Sequence, residues 1–226
     1  MIRRATPLDI SARSAADGLS AADFHGGTYK RDDTKAGSPA RRFVVVAPGQ
    51  DEGIVAGAAA LGRTVGEAAN FARALANEPA NVLTPSELAR RVSVAATAEG
   101  LGVDVLDEAR MKALGMGLLL AVSQGSDAPP HLVVLEHKPT GAPASPVLAF
   151  IGKGVTFDTG GISIKPADGM ERMKSDMSGA AAVAAGHVHL EQQRVAVGLG
   201  GAQLRHPFRG LEVLHLGVVE ARGDEQ

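Results

Sequence analysis

Apolar residues along this chain fall into two patterns, short continuous runs and longer stretches with helical spacing. The continuous runs are typical of strands and lie at 41–47, 100–106, 131–136, 146–151 and 211–219. The helically spaced stretches lie between these runs, and Gly or Pro residues mark many of the boundaries. Because strands and helices alternate, the pattern predicts an α/β fold, with a mixed β-sheet flanked by helices.

The longest predicted helix runs from Asp51 to about Ala76. Apolar residues recur there in steps of three and four, which places them on one face of a helix. Pro79 ends the pattern because it cannot donate a backbone hydrogen bond and disfavours helix at the preceding residue. We interpret the polar segment around it, 77–81, as a structural helix stop rather than as a functional site.

A second helix is predicted immediately afterwards. Thr84 supplies an N-cap oxygen, Pro85 suits the first turn, and Glu87 completes a capping box. The helix should run to about Ala98. Shorter helices are predicted over 7–22, over 108–114 and from Ser178 onward, and the apolar run 118–122 is expected to be buried.

Composition narrows the class of protein. The 226 residues are 45% hydrophobic, which is enough for one sizeable core, or for one domain and a fragment of another. A formal net charge of −2 favours neither nucleic acid nor an anionic membrane as a partner. The chain has no cysteine, so it forms no disulfide, and we recognise neither a signal peptide nor an apolar run long enough to cross a bilayer. These features predict a soluble, cytoplasmic protein.

Candidate chemistry is concentrated after the predicted strand 146–151. The following stretch is rich in glycine and contains the charged residues Lys153, Asp158, Lys165, Asp168 and Asp176. Ligands in α/β proteins usually bind at the carboxyl ends of strands, and carboxylates suit Mg, Mn or Zn. The alternative interpretation is a solvated glycine-rich loop with ordinary ion pairs.

Three segments of this stretch, 152–161, 163–166 and 173–182, closely resemble the first metal-binding segment of the leucine aminopeptidase (cytosol aminopeptidase) family. The earlier segments 77–85, 111–117 and 124–126 are also similar to parts of that family. The resemblance implies that the fold is an incomplete aminopeptidase catalytic domain. It also implies a peptide substrate and a homo-oligomer, because the family forms hexamers.

The resemblance further implies roles for individual residues. Lys153 and Asp176 would bind one metal, and Asp158 would bridge two metals. Lys165 would be the catalytic lysine that polarises the scissile carbonyl, and Met173 would line the pocket for the first side chain of the substrate. Two divalent ions, Mn or Zn, could together polarise the carbonyl and lower the pKa of a bridging water.

The chain also departs from the family pattern. The second metal motif of the family, Asn-Thr-Asp-Ala-Glu-Gly-Arg, does not occur in this sequence, and we expect the N-terminal domain of the family to be missing as well. The second metal site is therefore expected to be incomplete. We expect a linker or N-terminal remnant over 1–40, a partial catalytic domain over 41–186, and an atypical tail over 187–226, as in a truncated family member.

Two functional hypotheses follow from this resemblance. The first is a metal-dependent aminopeptidase that removes N-terminal, preferably leucine-like, residues from peptides. The second is a catalytically impaired or inactive fragment of such an enzyme, which could serve as a packing partner for intact subunits. A phosphate-binding module is a third hypothesis, because 152–154 follows a strand, but the chain lacks the P-loop pattern.

We interpret the two neighbouring histidines near the end of the chain, His187 and His189, as structural residues. His187 and His189 form an H-x-H pair near a predicted helix. On a strand this spacing can bind zinc, whereas on a helix the two side chains point in different directions. We therefore do not predict a metal site at this pair.

Overall fold

The computed structural model describes residues 8–29, 42–138, 148–190 and 211–221. The described residues form two compact units, one containing 8–29, 42–71 and 189–190, and the other containing 72–138, 148–188 and 211–221. Predictions for the exposed segment 30–35, the loop 140–145 and the tail residues 191–210 lie outside the described residues.

The described chain contains six α-helices, one 3₁₀ helix and four strands. The α-helices are α1 (Leu8–Ala22), α2 (Glu52–Asn77), α3 (Pro85–Ala98), α4 (Glu108–Ala113), α5 (Gly117–Ser123) and α6 (Ser178–Leu190). The strands are β1 (Gly102–Leu106), β2 (His131–Glu136), β3 (Leu148–Asp158) and β4 (Leu211–Ala221), and the 3₁₀ helix is Met170–Ser175. Every helix predicted above is present, and so are the strands predicted over 100–106, 131–136 and 211–219.

In the first unit, α1 packs closely against α2. A Cβ atom on Gly62 would collide with the carbonyl oxygen of Arg13, and one on Gly66 would lie 2.5 Å from Cβ of Ser20. The side chain of Asn70 donates a hydrogen bond of 2.6 Å to the carbonyl oxygen of Ser20. The two helices can approach this closely only because glycine occupies successive turns of α2.

In the second unit, the strands form one sheet in the order β1-β2-β4-β3. β2 is antiparallel to β1 and to β4, whereas β3 is parallel to β4. The sheet is therefore mixed, as predicted, and β4 lies between strands that precede it in the sequence.

Helices cover the sheet at β1 and β2. Leu106, Met111 and Leu132 form a buried cluster, against which Leu119 and Leu120 of α5 pack. The alternate residues of β2, Val133 and Leu135, are fully buried, and α3 contacts β2, with a hydrogen bond of 2.9 Å between Ser86 and His131. Since successive residues of a strand point to opposite faces, the two sets of contacts indicate an α/β/α arrangement.

Three sequence predictions are wrong, in whole or in part, within the described residues. The segment 42–47 forms no strand, and Phe43, Val44 and Val46 are 44%, 65% and 77% exposed. An apolar run becomes a strand only where a partner strand and a covering layer are available, and the sheet lies in the other unit. The run 118–122 is not uniformly buried, because in α5 Leu118 is 90% and Val122 is 44% exposed. A helix of this kind buries only the side that faces its sheet.

Strand β3 also differs from its prediction. The apolar run 146–151 suggested a buried strand that turns after Ile151, but β3 continues to Asp158. Phe150 and Ile151 are 48% and 76% exposed, so this part of the strand is not buried. Parallel pairing with β4 keeps residues 152–158 extended, including Gly152, Lys153 and Gly154, whose own strand propensity is low.

Candidate active site

Four of the predicted site residues form two short ion pairs. Nζ of Lys153 lies 2.7 Å from Oδ1 of Asp176, and Nζ of Lys165 lies 2.7 Å from Oδ2 of Asp158. Lys153 and Asp158 belong to β3, Lys165 lies in the following loop, and Asp176 ends the 3₁₀ helix. The two carboxylate side chains are only 19% and 26% exposed.

A β-bulge near the end of β3 determines the direction of Asp158. Val155 pairs with Val219 and Asp158 pairs with Ala221, so β3 uses three steps where β4 uses two. In a regular strand, residues five positions apart would point to opposite faces. The extra residue reverses the alternation, and Asp158 therefore falls on the face of the sheet that carries Lys153.

A close backbone contact brings Asp176 to Lys153. A Cβ atom on Gly152 would lie 2.5 Å from the carbonyl oxygen of Gly179, and one on Gly179 would lie 3.0 Å from the backbone nitrogen of Lys153. The first turn of α6 thus rests directly on β3. Because Asp176 lies just before α6, this contact holds its side chain within reach of the Lys153 ammonium.

The loop after β3 brings Lys165 back to Asp158. Gly160 and Gly161 have φ values of +93° and +64°, which glycine adopts without strain. The backbone N–H of Gly160 donates to Oδ1 of Asp158 at 2.8 Å, and the backbone N–H of Lys165 donates to the carbonyl oxygen of Thr159 at 2.8 Å. The turn therefore positions both members of the second pair.

The two ion pairs belong to one electrostatic neighbourhood. The hydrogen bond from Lys165 is the largest cause that lowers the pKa of Asp158, against the opposing effect of burial. The N–H of Gly160 and the charge of Lys153 also lower this pKa. Asp158 is therefore ionised at neutral pH, in the form that binds cations.

The donor set fits a divalent cation. Oδ2 of Asp176 is buried and has no hydrogen-bond partner, and a buried unsatisfied oxygen costs about 1–3 kcal/mol. A cation at this oxygen would remove that cost. Carboxylate oxygens are ligands that Mn and Zn accept, and the Lys153 nitrogen, which is an ammonium donor in the ion pair with Asp176, would be a ligand only in its neutral amine form. In the part of the chain that is described, no three His, Cys, Asp or Glu residues form a further metal cluster.

The remaining predicted residues lie near the 3₁₀ helix. Met173 is partly exposed, and its carbonyl oxygen accepts a hydrogen bond of 3.2 Å from the backbone N–H of Asp176. Asp168 is exposed in the preceding loop. An open depression of about 530 Å³ is lined by Pro79, Phe157, Met170, Glu171 and Lys174, so of the two neighbouring methionines Met170 lines it.

The polar segment 77–81 has structural contacts. The side chain of Asn77 donates to the carbonyl oxygen of Arg73 at 2.9 Å, and the carbonyl oxygen of Asn77 accepts from Nζ of Lys174 at 3.2 Å. Glu78 forms an ion pair of 2.8 Å with Arg91. These contacts account for the segment as a helix stop.

The sequence analysis missed the residues that position the site through their backbone and contribute no functional side chain. These are Gly152 and Gly179, at the contact between β3 and α6, and the bulge before Asp158. A glycine inside a strand pattern is a signal of close backbone approach, but Gly152 directly follows the predicted strand 146–151, so the signal applies only once β3 is seen to continue to Asp158. The bulge has no comparable signal in the sequence.

Comparison with family models assigns most of the second unit to a known protein family. Residues 70–202 match the catalytic domain of the cytosol aminopeptidase family. The chain therefore belongs to the cytosol aminopeptidase family, which is a family of peptidases. The match begins near the boundary between the two compact units and includes 187–202, which the sequence analysis assigned to the atypical tail.

Curated relatives agree with this assignment. The chain is 60% identical over 136 residues to a probable cytosol aminopeptidase of Rhizobium meliloti (strain 1021), a match that covers 59% of this chain and 26% of the relative. It is 46% identical over 201 residues to a probable cytosol aminopeptidase of Sinorhizobium fredii (strain NBRC 101917 / NGR234), with coverage of 84% and 38%. The chain spans between about a quarter and two fifths of the length of these relatives.

Solved structures show the same fold. The bottromycin maturation enzyme BotP in complex with Mn superposes with a TM-score of 0.77 at 32% identity, over 99% of this chain and 43% of that chain. The leucine aminopeptidase of Caenorhabditis elegans gives a TM-score of 0.64 at 26% identity, over 95% of this chain and 41% of that chain. Of the helices described here, none is long and apolar enough to cross a membrane.

Proposed function

We propose that this chain carries part of the catalytic site of a metal-dependent aminopeptidase that removes N-terminal, preferably leucine-like, residues from peptides. The observation that supports this proposal best is the buried, unpartnered Oδ2 of Asp176 beside the ion pair with Lys153. In a cluster that only stabilises the fold, buried carboxylate oxygens are normally hydrogen-bonded, whereas a cluster that binds a cation keeps an oxygen available for it.

In the proposed site, Lys153 and Asp176 hold one divalent cation and Asp158 is shared with a second. Mn is supported by the family membership and by the structural neighbour BotP, which was solved in complex with Mn, and Zn is the alternative. When bound, such cations polarise a carbonyl and generate a hydroxide nucleophile at neutral pH.

Lys165 is the proposed catalytic lysine. Its side chain is one third exposed, and the hydrogen bond to Asp158 keeps it at the edge of the carboxylate pair. From there it can donate a hydrogen bond to the carbonyl oxygen of the scissile peptide and to the oxyanion that develops on it. The backbone bond to Thr159 fixes where this side chain begins, and the ion pair with Asp158 orients its ammonium group.

Met173 is the proposed wall for the first side chain of the substrate. It is three residues before Asp176 on the 3₁₀ helix and is partly exposed. An unbranched thioether adapts to apolar side chains of different shape, which suits a preference for leucine-like residues.

A catalytically impaired or inactive fragment is the second candidate. It is favoured by the small number of carboxylates, since Asp158 and Asp176 have no third carboxylate or histidine beside them within the described residues. Fewer protein ligands mean weaker binding, at the second metal above all. Cytoplasmic location and a homo-oligomer are further parts of the proposal, and light scattering after size exclusion would measure the oligomer.

The first experiment is hydrolysis of a leucyl amide by the purified chain with added Mn or Zn. We expect turnover that is lost in Asp158→Ala, which removes the shared ligand and also serves to subtract contaminating peptidase. Equal rates for the chain and its variant would reject the enzyme and favour the inactive fragment.

Calorimetry with Mn separates metal binding from catalysis. Asp158→Ala should abolish the binding, whereas Lys165→Ala should preserve it and remove only the turnover, because Lys165 acts on the substrate. If Asp158→Ala binds Mn as the parent does, the assigned ligands are wrong.

A further inference from the structure

His187 is a buried histidine with an unused ring nitrogen. It lies on α6 and is 2% exposed, and its Nε2 atom has no hydrogen-bond partner. Burial lowers the pKa of His187 to about 4, with a further lowering by His137. The ring is therefore neutral at pH 7, in the form that binds metals, and a buried ring nitrogen is left unsatisfied.

The neighbour of this ring is His137, the residue after β2. The two ring centroids are 6.2 Å apart and the ring planes are nearly perpendicular, at 88°. His137 is only partly exposed. Two elements of the second unit, the end of β2 and the helix α6, therefore meet through a pair of imidazoles.

The pair of His137 and His187 is not the H-x-H pair of the sequence, which consists of His187 and His189. His189 lies on the same helix as His187, but its ring contacts Phe71 with a centroid distance of 6.1 Å. The two histidines of α6 thus face different neighbours, as expected for positions two apart on a helix. The partner of His187 is 50 positions away in the sequence (187 − 137), so no local motif indicates it.

The spacing of the rings suits a shared metal ion. Metal–nitrogen bonds to histidine are about 2.0–2.1 Å long, so one ion bound by two imidazoles holds their centroids about 5–6.5 Å apart. The observed 6.2 Å lies in this range. Edge-to-face stacking allows the same distance, but stacking alone leaves the buried Nε2 of His187 unsatisfied, whereas a metal would satisfy it.

We propose that His137 and His187 form a two-imidazole site for a divalent late transition metal, distinct from the site of Lys153, Asp158 and Asp176. Imidazole ligands favour Cu, Ni and Zn over the hard ions that carboxylates bind, and Cu²⁺ should bind most tightly. Across the described ranges of the chain, no third His, Cys, Asp or Glu joins the pair. The remaining coordination positions would be filled by water.

The test is a Cu²⁺ titration of the full chain, read by equilibrium dialysis and by electron paramagnetic resonance. All proteins carry Asp158→Ala, so that the oxygen-rich site does not compete. In the protein that carries only Asp158→Ala, we expect a paramagnetic resonance signal typical of Cu²⁺ bound by two nitrogen donors. His137→Gln should weaken the tightest site by at least about tenfold, since loss of even a second-shell group costs about 10–100-fold.

Two further variants make the result decisive. His187→Leu should lose the same site and, without metal, should melt at a higher temperature, because an apolar side chain replaces an unsatisfied buried nitrogen. His189→Gln, two positions along the same helix, should keep the parent affinity. If His137→Gln binds Cu²⁺ as tightly as His189→Gln does, the proposed site is refuted.

Discussion

Two clusters of acids and bases in the second unit are alike in composition and different in construction. The arginine cluster joins Glu78 and Glu87 to Arg90 and Arg91 at the start of α3. The lysine cluster joins Lys153 and Lys165 to Asp176 and Asp158 around the end of β3. Composition alone would assign both clusters the same role.

The difference lies in how the carboxylate oxygens are used. In the arginine cluster, Glu87 receives both nitrogens of the Arg90 fork at 2.7 Å and a third bond from Arg91, which also reaches Glu78. Planar guanidinium groups match carboxylates in this way. In the lysine cluster each ammonium meets one oxygen, and the buried Oδ2 of Asp176 is left over. A saturated cluster stabilises a fold, whereas an unsaturated one has capacity for a ligand.

The largest effect is expected where the lysine cluster depends on backbone contact. Gly152→Ala would drive a methyl group into the carbonyl oxygen of Gly179, so we expect a loss of about 3 kcal/mol in the free energy of unfolding. Urea denaturation measures it. Gly186→Ala, on the same helix α6 but with nothing within 4 Å, should be neutral or slightly stabilising. Equal stabilities of the two variants would mean that β3 and α6 are not held by this contact.

The helix cap beside the arginine cluster was predictable because its geometry is local, whereas the ion pairs of Arg90 and Arg91 were not predicted, and Arg91 reaches Glu78 across 13 positions. Thr84, Pro85 and Glu87 specify the first turn of α3, and the side chain of Thr84 does accept from the backbone N–H of Glu87 at 3.3 Å. Capping and side-chain pairs three or four positions apart depend on residues within one or two turns. The stop at 77–81 follows from the same local rules.

The lysine cluster was predictable in its members but not in its assembly. Motif resemblance named Lys153, Asp158, Lys165 and Asp176. Their arrangement depends on a bulge measured against β4, a strand more than 50 positions further along, and on the close contact of α6 with β3. Register between distant strands is set by the whole sheet, so neither periodicity nor propensity of one segment reveals it.

An intermediate effect should distinguish the two arginines. Arg91 is 29% exposed and bridges Glu78 and Glu87, so Arg91→Met removes this ion pair from the half-buried Glu78. We expect a loss of about 1–2 kcal/mol in the free energy of unfolding, measured by urea denaturation. Arg90→Met, at a side chain that is 61% exposed, should leave the unfolding midpoint almost unchanged. Equal losses would show that the cluster acts as one unit.

The smallest effect is the pH dependence of Glu87. Hydrogen bonds from Arg90, and then from Arg91, lower its pKa from 4.5 to about 2 in the folded chain. A lowered carboxyl pKa contributes stability above the unfolded value, and this contribution is lost as the pH falls from 4.5 towards 2. Because solvent screens this partly exposed pair, Glu87→Gln should cost at most about 1 kcal/mol at pH 7.

The cost of Glu87→Gln should therefore shrink towards zero near pH 2, where the parent carboxyl is itself becoming neutral. Urea midpoints at pH 7 and about pH 2.5 give the two differences. Glu171→Gln, at an exposed glutamate outside both clusters, is the matched control for the substitution itself. If the cost of Glu87→Gln stays the same at the lower pH, the side chain stabilises α3 by packing rather than by its charge. The contrast between the arginine cluster and the lysine cluster would then have no electrostatic basis.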